Sequence, residues 1–204
     1  MAVVIKQLCG PQSPESSATQ RLLEMISAGC REEQRYAAEA AFILECSRRD
    51  LQEDLLAGEG RWWVAWDNDI PVGLVRLGPT GGNRSDERLL GSLYVAETYR
   101  LQGIGRRLVE TVLDAAKDEG FRHVFLFVAE GSPARRFYAR LNLFRVVESP
   151  IPGYVKLKWS TTRARGPAQN HKTLTPAWRT VLTALGFALA VLGCVGLVFL
   201  MRSR

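Results

Sequence analysis

The chain has 204 residues, with 27 Lys and Arg against 21 Asp and Glu, for a formal net charge of +6. Residues 1–159 carry 21 charges of each sign and sum to zero, so the whole excess lies in residues 160–204, which hold six basic side chains and no carboxylate. A nucleic-acid binder gathers its cations on a folded face, and this distribution argues against one.

The N-terminal Met1-Ala-Val-Val-Ile-Lys6 is too short an apolar stretch for a signal peptide and reads as a first strand, Val3 to Leu8. Ser16 to Arg31 and Tyr36 to Leu56 have helical spacing: Leu22, Met25 and Ile26 mark one face, and Ala37, Ala41, Ile43 and Leu44 another. Arg61 to Trp66, with three tryptophans, is a strand by composition, and its aromatics are expected in the core. A turn at Asp67-Asn68-Asp69 returns the chain as a second arm, Val72 to Leu77. Gly78 to Asp86 is a loop, and its Asn83-Arg84-Ser85 sequon would go unused on a cytosolic domain.

Leu89 to Val95 is an apolar strand that leads through Ala96 to Gln102 into Gly103-Ile-Gly105. Ile104, Leu108, Val112 and Ala116 then recur every four residues, so a helix begins at the glycines and closes at Gly120. His123 to Val128 is a continuous apolar run, as in a strand buried on both faces. Ser132-Pro133 has the chemistry of a helix start, and Asn142 can take the left-handed conformation that ends that helix. Phe144 to Val147 and Tyr154 to Trp159 complete an α/β fold with about seven strands in a mixed sheet.

Beyond this domain, residues 160–176 form a polar, basic linker with two prolines. From Thr180 to Met201 there are 22 residues without a charge, and a helix of that length would cover about 33 Å, enough for a bilayer core. The predicted organisation is therefore a domain at 1–159, a linker at 160–176, a C-terminal transmembrane helix at 177–201 and a short tail at 202–204. Because so little follows the span, it reads as a single-pass tail anchor. Four basic residues on its domain side against two beyond place the domain in the cytosol. In a eukaryote, the endoplasmic reticulum or another intracellular membrane is the expected address. Gly186, Ala190 and Cys194 make a small-residue ridge along which two such helices could pair as a homodimer.

Cysteines at 9, 30, 46 and 194 show no C-x-x-C spacing and only two histidines occur, so neither a structural zinc site nor a Ser-His or Cys-His nucleophile is expected. The chemistry points instead to Arg100-Leu-Gln-Gly103-Ile-Gly105-Arg106-Arg107. Two glycines at a helix start let the backbone approach an anion, toward which the free amides of the first turn and the helix dipole point. A pyrophosphate suits such a turn. The third glycine of a dinucleotide fingerprint and the lysine of a P-loop are missing.

Arg100-x-x-Gly103-x-Gly105 after a strand, with Phe137-Tyr138 about 35 residues on, resembles the GNAT family of acyl-CoA N-acyltransferases. The likeness covers residues 3 to 159. It is greatest from Leu89 to Leu143, where Val112-Leu-Asp-Ala-Ala-Lys-Asp-Glu-Gly120 also looks like the camello-like N-acetyltransferases. Those carry their apolar segment before the strand that Trp62-Trp63 begins, whereas here it lies at the tail. The resemblance implies the GNAT fold, acetyl-CoA as co-substrate, no metal, and a primary amine as acceptor, either a small molecule or a membrane-proximal protein. It implies that backbone groups of Leu93, Tyr94 and Val95 pair with the pantetheine arm. It assigns the pyrophosphate to Leu101, Gln102, Gly103, Ile104, Gly105 and Arg106, and the general acid to Tyr138. Two positions depart from the family pattern: Gly131 stands where many members have Asn, and Leu126 where some have a basic Glu. Glu87 is then the first candidate base, acting through water, and Glu130 the second. Those departures also support another reading, a catalytically weak acyl-CoA-binding adaptor.

Overall fold

In the computed structural model, which describes residues 2–36, 41–80 and 85–161, seven strands form one sheet. They are β1 (Val4–Gln7), β2 (Arg61–Asp67), β3 (Ile70–Gly78), β4 (Glu87–Val95), β5 (His123–Ala129), β6 (Arg145–Val147) and β7 (Tyr154–Ser160). Their order across the sheet is β1-β2-β3-β4-β5-β7-β6, and every neighbouring pair is antiparallel except β4 with β5. The described helices are α1 (Ser17–Gln34), α2 (Ala41–Ala57), α3 (Ile104–Asp118) and α4 (Pro133–Leu141), with a single 3₁₀ turn at Glu97–Tyr99. The mixed seven-stranded α/β sheet with flanking helices is the expected one.

Alternation along the strands divides the apolar side chains between two faces. On one face Leu22, Met25, Ile26 and Leu55 of α1 and α2 pack on Trp62, Val64 and Leu74. On the other, Ile104, Leu108, Val112 and Ala116 of α3 pack on Trp63, Ala65, Val72 and Val75. Trp62 and Trp63 are 3% and 4% exposed, one to each layer, so the aromatic strand is core and no ligand cage. Each large apolar side chain buried in this way contributes about 1.5–3 kcal/mol.

Some boundaries differ from expectation, and one difference matters. The apolar spacing of α1 ends near Arg31, but the helix continues through Glu32 and Glu33 to Gln34. That last turn is polar and is held by contacts outside the helix, which periodicity does not register.

Between α2 and the sheet, Asp54 accepts hydrogen bonds from Trp62 Nε1 at 3.0 Å and from Arg76 Nε at 2.6 Å. The two charged side chains are only 11% and 17% exposed. Removing one partner strands a charge in a poorly solvated place. Asp54→Ala is expected to destabilise the fold by about 3 kcal/mol, measurable by urea unfolding, whereas Glu53→Ala on the exposed side of α2 changes it by less than about 0.5 kcal/mol.

Among the described residues no helix is long and apolar enough to cross a membrane. The predicted span at 177–201, the tail at 202–204 and all of the linker after Thr161 lie outside the described residues, as do Ala37 and the Asn83-Arg84 pair of the sequon.

Candidate active site

The parallel pair at the centre of the sheet does not stay together. Only Glu87, Arg88 and Leu89 of β4 pair with β5, opposite His123, Val124 and Phe125. Beyond them a bulge redirects β4: Leu74 pairs with Tyr94 but Arg76 with Gly91, so β4 spends one residue more than β3. Ser92 takes up the extra length at φ 53, and its Oγ is shielded from solvent with no hydrogen-bond partner among the described residues. Although β4 is the fourth of seven strands, Gly91 through Val95 are only half-buried. The C-terminal halves of β4 and β5 thus form the walls of an opening.

Strand alternation decides which backbone groups face it. The Ala96 amide donates to Val72 O at 2.9 Å, so Ala96 and Tyr94 turn their backbone groups to β3 while Leu93 and Val95 turn theirs to the opening. Of the three residues expected to pair with a pantetheine arm, Leu93 and Val95 are placed to do so. Tyr94 is not, and contributes its ring instead, which packs among the α1–α2 core residues with the Arg100 guanidinium 5.2 Å from its centroid. Across the opening, the Glu130 amide donates to Gly153 O of the loop before β7, so the Ala129 amide points the other way, into the opening. There it donates to Glu33 Oε1 at 2.7 Å.

At the C-terminal end of β4 the chain enters the glycine turn. Leu101 at φ 62 and Gly103 at φ 78 both take left-handed conformations, and Leu101 is fully exposed. The first helical bond of α3 runs from the Arg107 amide to Gly103 O, which leaves the amides of Ile104, Gly105 and Arg106 without intrahelical acceptors. The two glycines have different tasks. A Cβ on Gly103 would meet nothing within 4 Å, whereas one on Gly105 would lie 3.4 Å from the Phe137 ring and 3.7 Å from Val95. Gly105 therefore lets α3 pack closely on α4 while its amide stays free, and the side-chain position of Gly103 is open. Ile104 is a core residue that can offer only its backbone.

The cations of this segment have local partners. Arg100 donates to Val95 O at 2.9 Å and to Glu32 Oε1 at 2.7 Å, and Arg107 to Val3 O at 2.9 Å. Arg106 pairs with Glu110 one turn along α3 at 2.8 Å, an exposed contact that is weak and easily exchanged. Gln102 Nε2 donates to Thr98 O at 3.2 Å.

Tyr138 lies on α4, which starts as read: Ser132 Oγ caps the Ala134 amide at 3.1 Å, Pro133 fills the first turn, and Asn142 closes the helix in the left-handed region. The Tyr138 ring is buried edge-on to Phe137 and Phe144, with centroids 5.1 and 5.6 Å away. Burial, and then the negative charge of Glu33, push its hydroxyl well above the ordinary tyrosine range, so it remains protonated. Burial likewise raises the Glu33 carboxyl, against the opposing effect of the Ala129 amide. Tyr154 is raised by burial first and then by Glu33 and Cys30.

Glu87 is not brought to the opening. It begins the nine-residue β4 beside His123, roughly 26 Å of extended chain from Val95. Glu130 lies at the correct end of β5, but its exposed carboxylate faces Arg135 at 3.5 Å. Leu126 is a core residue, 1% exposed. Among the described residues, the carboxylate bound to the Ala129 amide at the opening is Glu33, which the sequence signals only as part of an acidic pair just past the last apolar turn of a helix. Among the described residues no group of three or more His, Cys, Asp and Glu could hold a metal ion.

The model of the acetyltransferase (GNAT) family matches residues 25–143. The chain is 31% identical over 127 residues to "Probable N-acetyltransferase camello" of Xenopus tropicalis, a match covering 61% of this chain and 58% of that protein. It is 33% identical over 90 residues to N-acetyltransferase 8F1 of Rattus norvegicus, covering 42% of this chain and 41% of that one. The chain thus spans about half the length of these curated relatives. Among solved structures, the PaiA N-acetyltransferase of Thermoplasma acidophilum in complex with coenzyme A superposes with a TM-score of 0.57 at 16% identity, covering 78% of this chain and 99% of that one. A ribosomal-protein-alanine N-acetyltransferase of Brucella melitensis gives 0.56 at 18%, covering 77% and 99%. At such identities the likeness is one of fold.

Proposed function

This chain belongs to the acetyltransferase (GNAT) family, and from that premise we propose that it transfers an acetyl group from acetyl-CoA to the nitrogen of a primary amine by direct attack. The observation that carries the reading is the opened β4–β5 pair, which turns the backbone groups of Leu93 and the Val95 amide to the opening along one wall and has a helix N-terminus at its end. An extended amide-bearing arm fits beside Leu93 and Val95 as an added strand. The amides at Ile104, Gly105 and Arg106 suit a pyrophosphate at the far end of that arm.

Acetyl-CoA supplies the acyl group and the thiolate leaving group. The amide of Val95 faces the opening and is placed to donate to the oxygen that gains charge as nitrogen attacks. The C–N bond forms, the C–S bond breaks, and the departing sulfur takes a proton from the Tyr138 hydroxyl, which its surroundings keep protonated. The hydroxyl recovers that proton from the nitrogen.

Residues 180–201 support, by their length and lack of charge, a further part of the proposal: the domain works beside a membrane that this segment anchors. Full-length protein then stays with membranes through carbonate extraction, and release into the supernatant would overturn the anchor.

The reaction itself is tested by thiol release from acetyl-CoA with benzylamine, free amino acids, an S-alkyl cysteine and a Lys-containing peptide. Release that depends on the amine, with the mass of the product raised by one acetyl group, is the expected result. Binding of acetyl-CoA without turnover of any of these would sink the enzyme reading in favour of the adaptor.

A further inference from the structure

We propose that Glu33, at the C-terminal end of α1, is the general base that takes the proton from the acceptor amine. This assignment rests on the acetyltransferase reading above and supplies the base which that reading lacks.

The first argument is position. The Ala129 amide points into the opening between β4 and β5, and the Glu33 carboxylate is bound to it at 2.7 Å. It therefore occupies the β5 wall, opposite the backbone groups of Leu93 and Val95. Tyr138 lies close enough for the charge of Glu33 to act on its hydroxyl, so the two groups needed for proton transfer share one neighbourhood. No other carboxylate singled out above has this placement. Glu87 is at the opposite end of the strand, and Glu130 is exposed beside Arg135.

The second argument is how the carboxylate is held. The neighbouring Glu32 pairs with Arg100 at 2.7 Å, and Arg100 in turn donates to Val95 O. The last turn of α1 is thus fixed to β4 through Glu32 and to β5 through Glu33. Gly29, one turn earlier, lies close to Tyr94: a Cβ added there would meet the ring at 3.4 Å. A base must be held within hydrogen-bond reach of its proton, and this bracing does so from both walls.

The third argument is chemical. Among the described residues, the charge of Glu33 acts on Cys30 of α1, Tyr138 of α4 and Tyr154 of β7, and Glu32 beside it in sequence is paired with Arg100. Its half-buried setting makes it a stronger base than a solvated carboxylate, since burial disfavours the charged form. The step balances as follows. An ammonium substrate gives one proton to the Glu33 carboxylate, and the freed nitrogen lone pair forms the C–N bond. The second proton lost by nitrogen replaces the one that Tyr138 gives to sulfur. Glu33 then releases its proton to solvent before the next turnover.

Glu33→Gln tests this in the full chain, because the amide oxygen can still accept from the Ala129 amide. At pH 7, kcat/KM for benzylamine is expected to fall about a hundredfold, within the range for a lost general base, while the acetyl-CoA Kd stays within twofold. Without the base the variant depends on amine already neutral in solution. The deficit then shrinks about tenfold for each pH unit up to the pKa of the amine, and Glu33→Asp recovers part of the loss. A Glu33→Gln rate within twofold of wild type, or a deficit that does not change with pH, would overturn the assignment and leave the acetyltransferase reading standing. Wild-type protein that binds acetyl-CoA and acetylates none of the amines overturns both.

Discussion

Tyr138→Phe is expected to lower kcat for amine acetylation about a thousandfold while leaving acetyl-CoA affinity and thermal stability almost unchanged. The substitution removes one oxygen and keeps the ring that packs edge-on to Phe137 and Phe144. A fault in packing would show as a lower Tm, and none is expected. The missing group is the proton donor to the departing sulfur, and a positioned general acid contributes about 10²–10⁴-fold. Because burial and Glu33 both raise the hydroxyl above its ordinary value, it stays protonated through neutral and mildly alkaline pH. The sign of this shift predicts that loss of the Tyr138 proton puts no basic limb on the wild-type rate profile below about pH 10. Equal kcat in wild type and variant would remove Tyr138 from the mechanism.

Local signals in the chain proved reliable where backbone chemistry dictates a conformation. Ser132-Pro133 starts α4 and Asn142 ends it at φ 53, because a hydroxyl cap, a fixed proline φ and a tolerated left-handed residue are properties of those side chains. The apolar run His123 to Val128 is a strand buried between neighbours, as its lack of alternation requires. Whether two adjacent strands stay paired along their length is not encoded in that way. Leu93 and Val95 are as apolar as Leu89 and Leu90 before them, so neither the bulge at Ser92 nor the opening beyond Leu89 leaves a mark in periodicity.

The base shows the same limit from the other side. Glu87 stands near the apolar strand in sequence and far from the opening in space, at the end of β4 where the sheet is still closed. Glu33 belongs to a polar turn beyond the amphipathic part of α1. It reaches the opening only because Arg100 and the Ala129 amide, 68 and 96 residues away, hold that turn. The two glycines of the turn are similar in sequence. Only the packing of Phe137 distinguishes the one that serves close approach of helices from the one that remains open.

That open glycine carries the remaining test. Gly103→Glu is expected to weaken acetyl-CoA binding about a thousandfold and to change stability little, for reasons that separate cleanly. At φ 78 any side chain is strained by about 1–2 kcal/mol. A Cβ there meets no atom within 4 Å, however, so no steric cost is added. A carboxylate at the start of α3 also interacts favourably with the free amides and the helix dipole, worth about 0.3–1 kcal/mol, which offsets part of the strain. In the ligand-free protein the substitution therefore comes close to balance. In the complex the new carboxylate takes the position proposed for the pyrophosphate. Losing two charge-assisted hydrogen bonds at about 2 kcal/mol each corresponds to about a thousandfold in Kd. Gly103→Ala carries the same backbone strain without the charge, so its affinity should fall about tenfold or less. Calorimetric titration of the full chain with acetyl-CoA measures both variants. If Gly103→Glu bound as tightly as Gly103→Ala, the amides at the start of α3 would not be the pyrophosphate site.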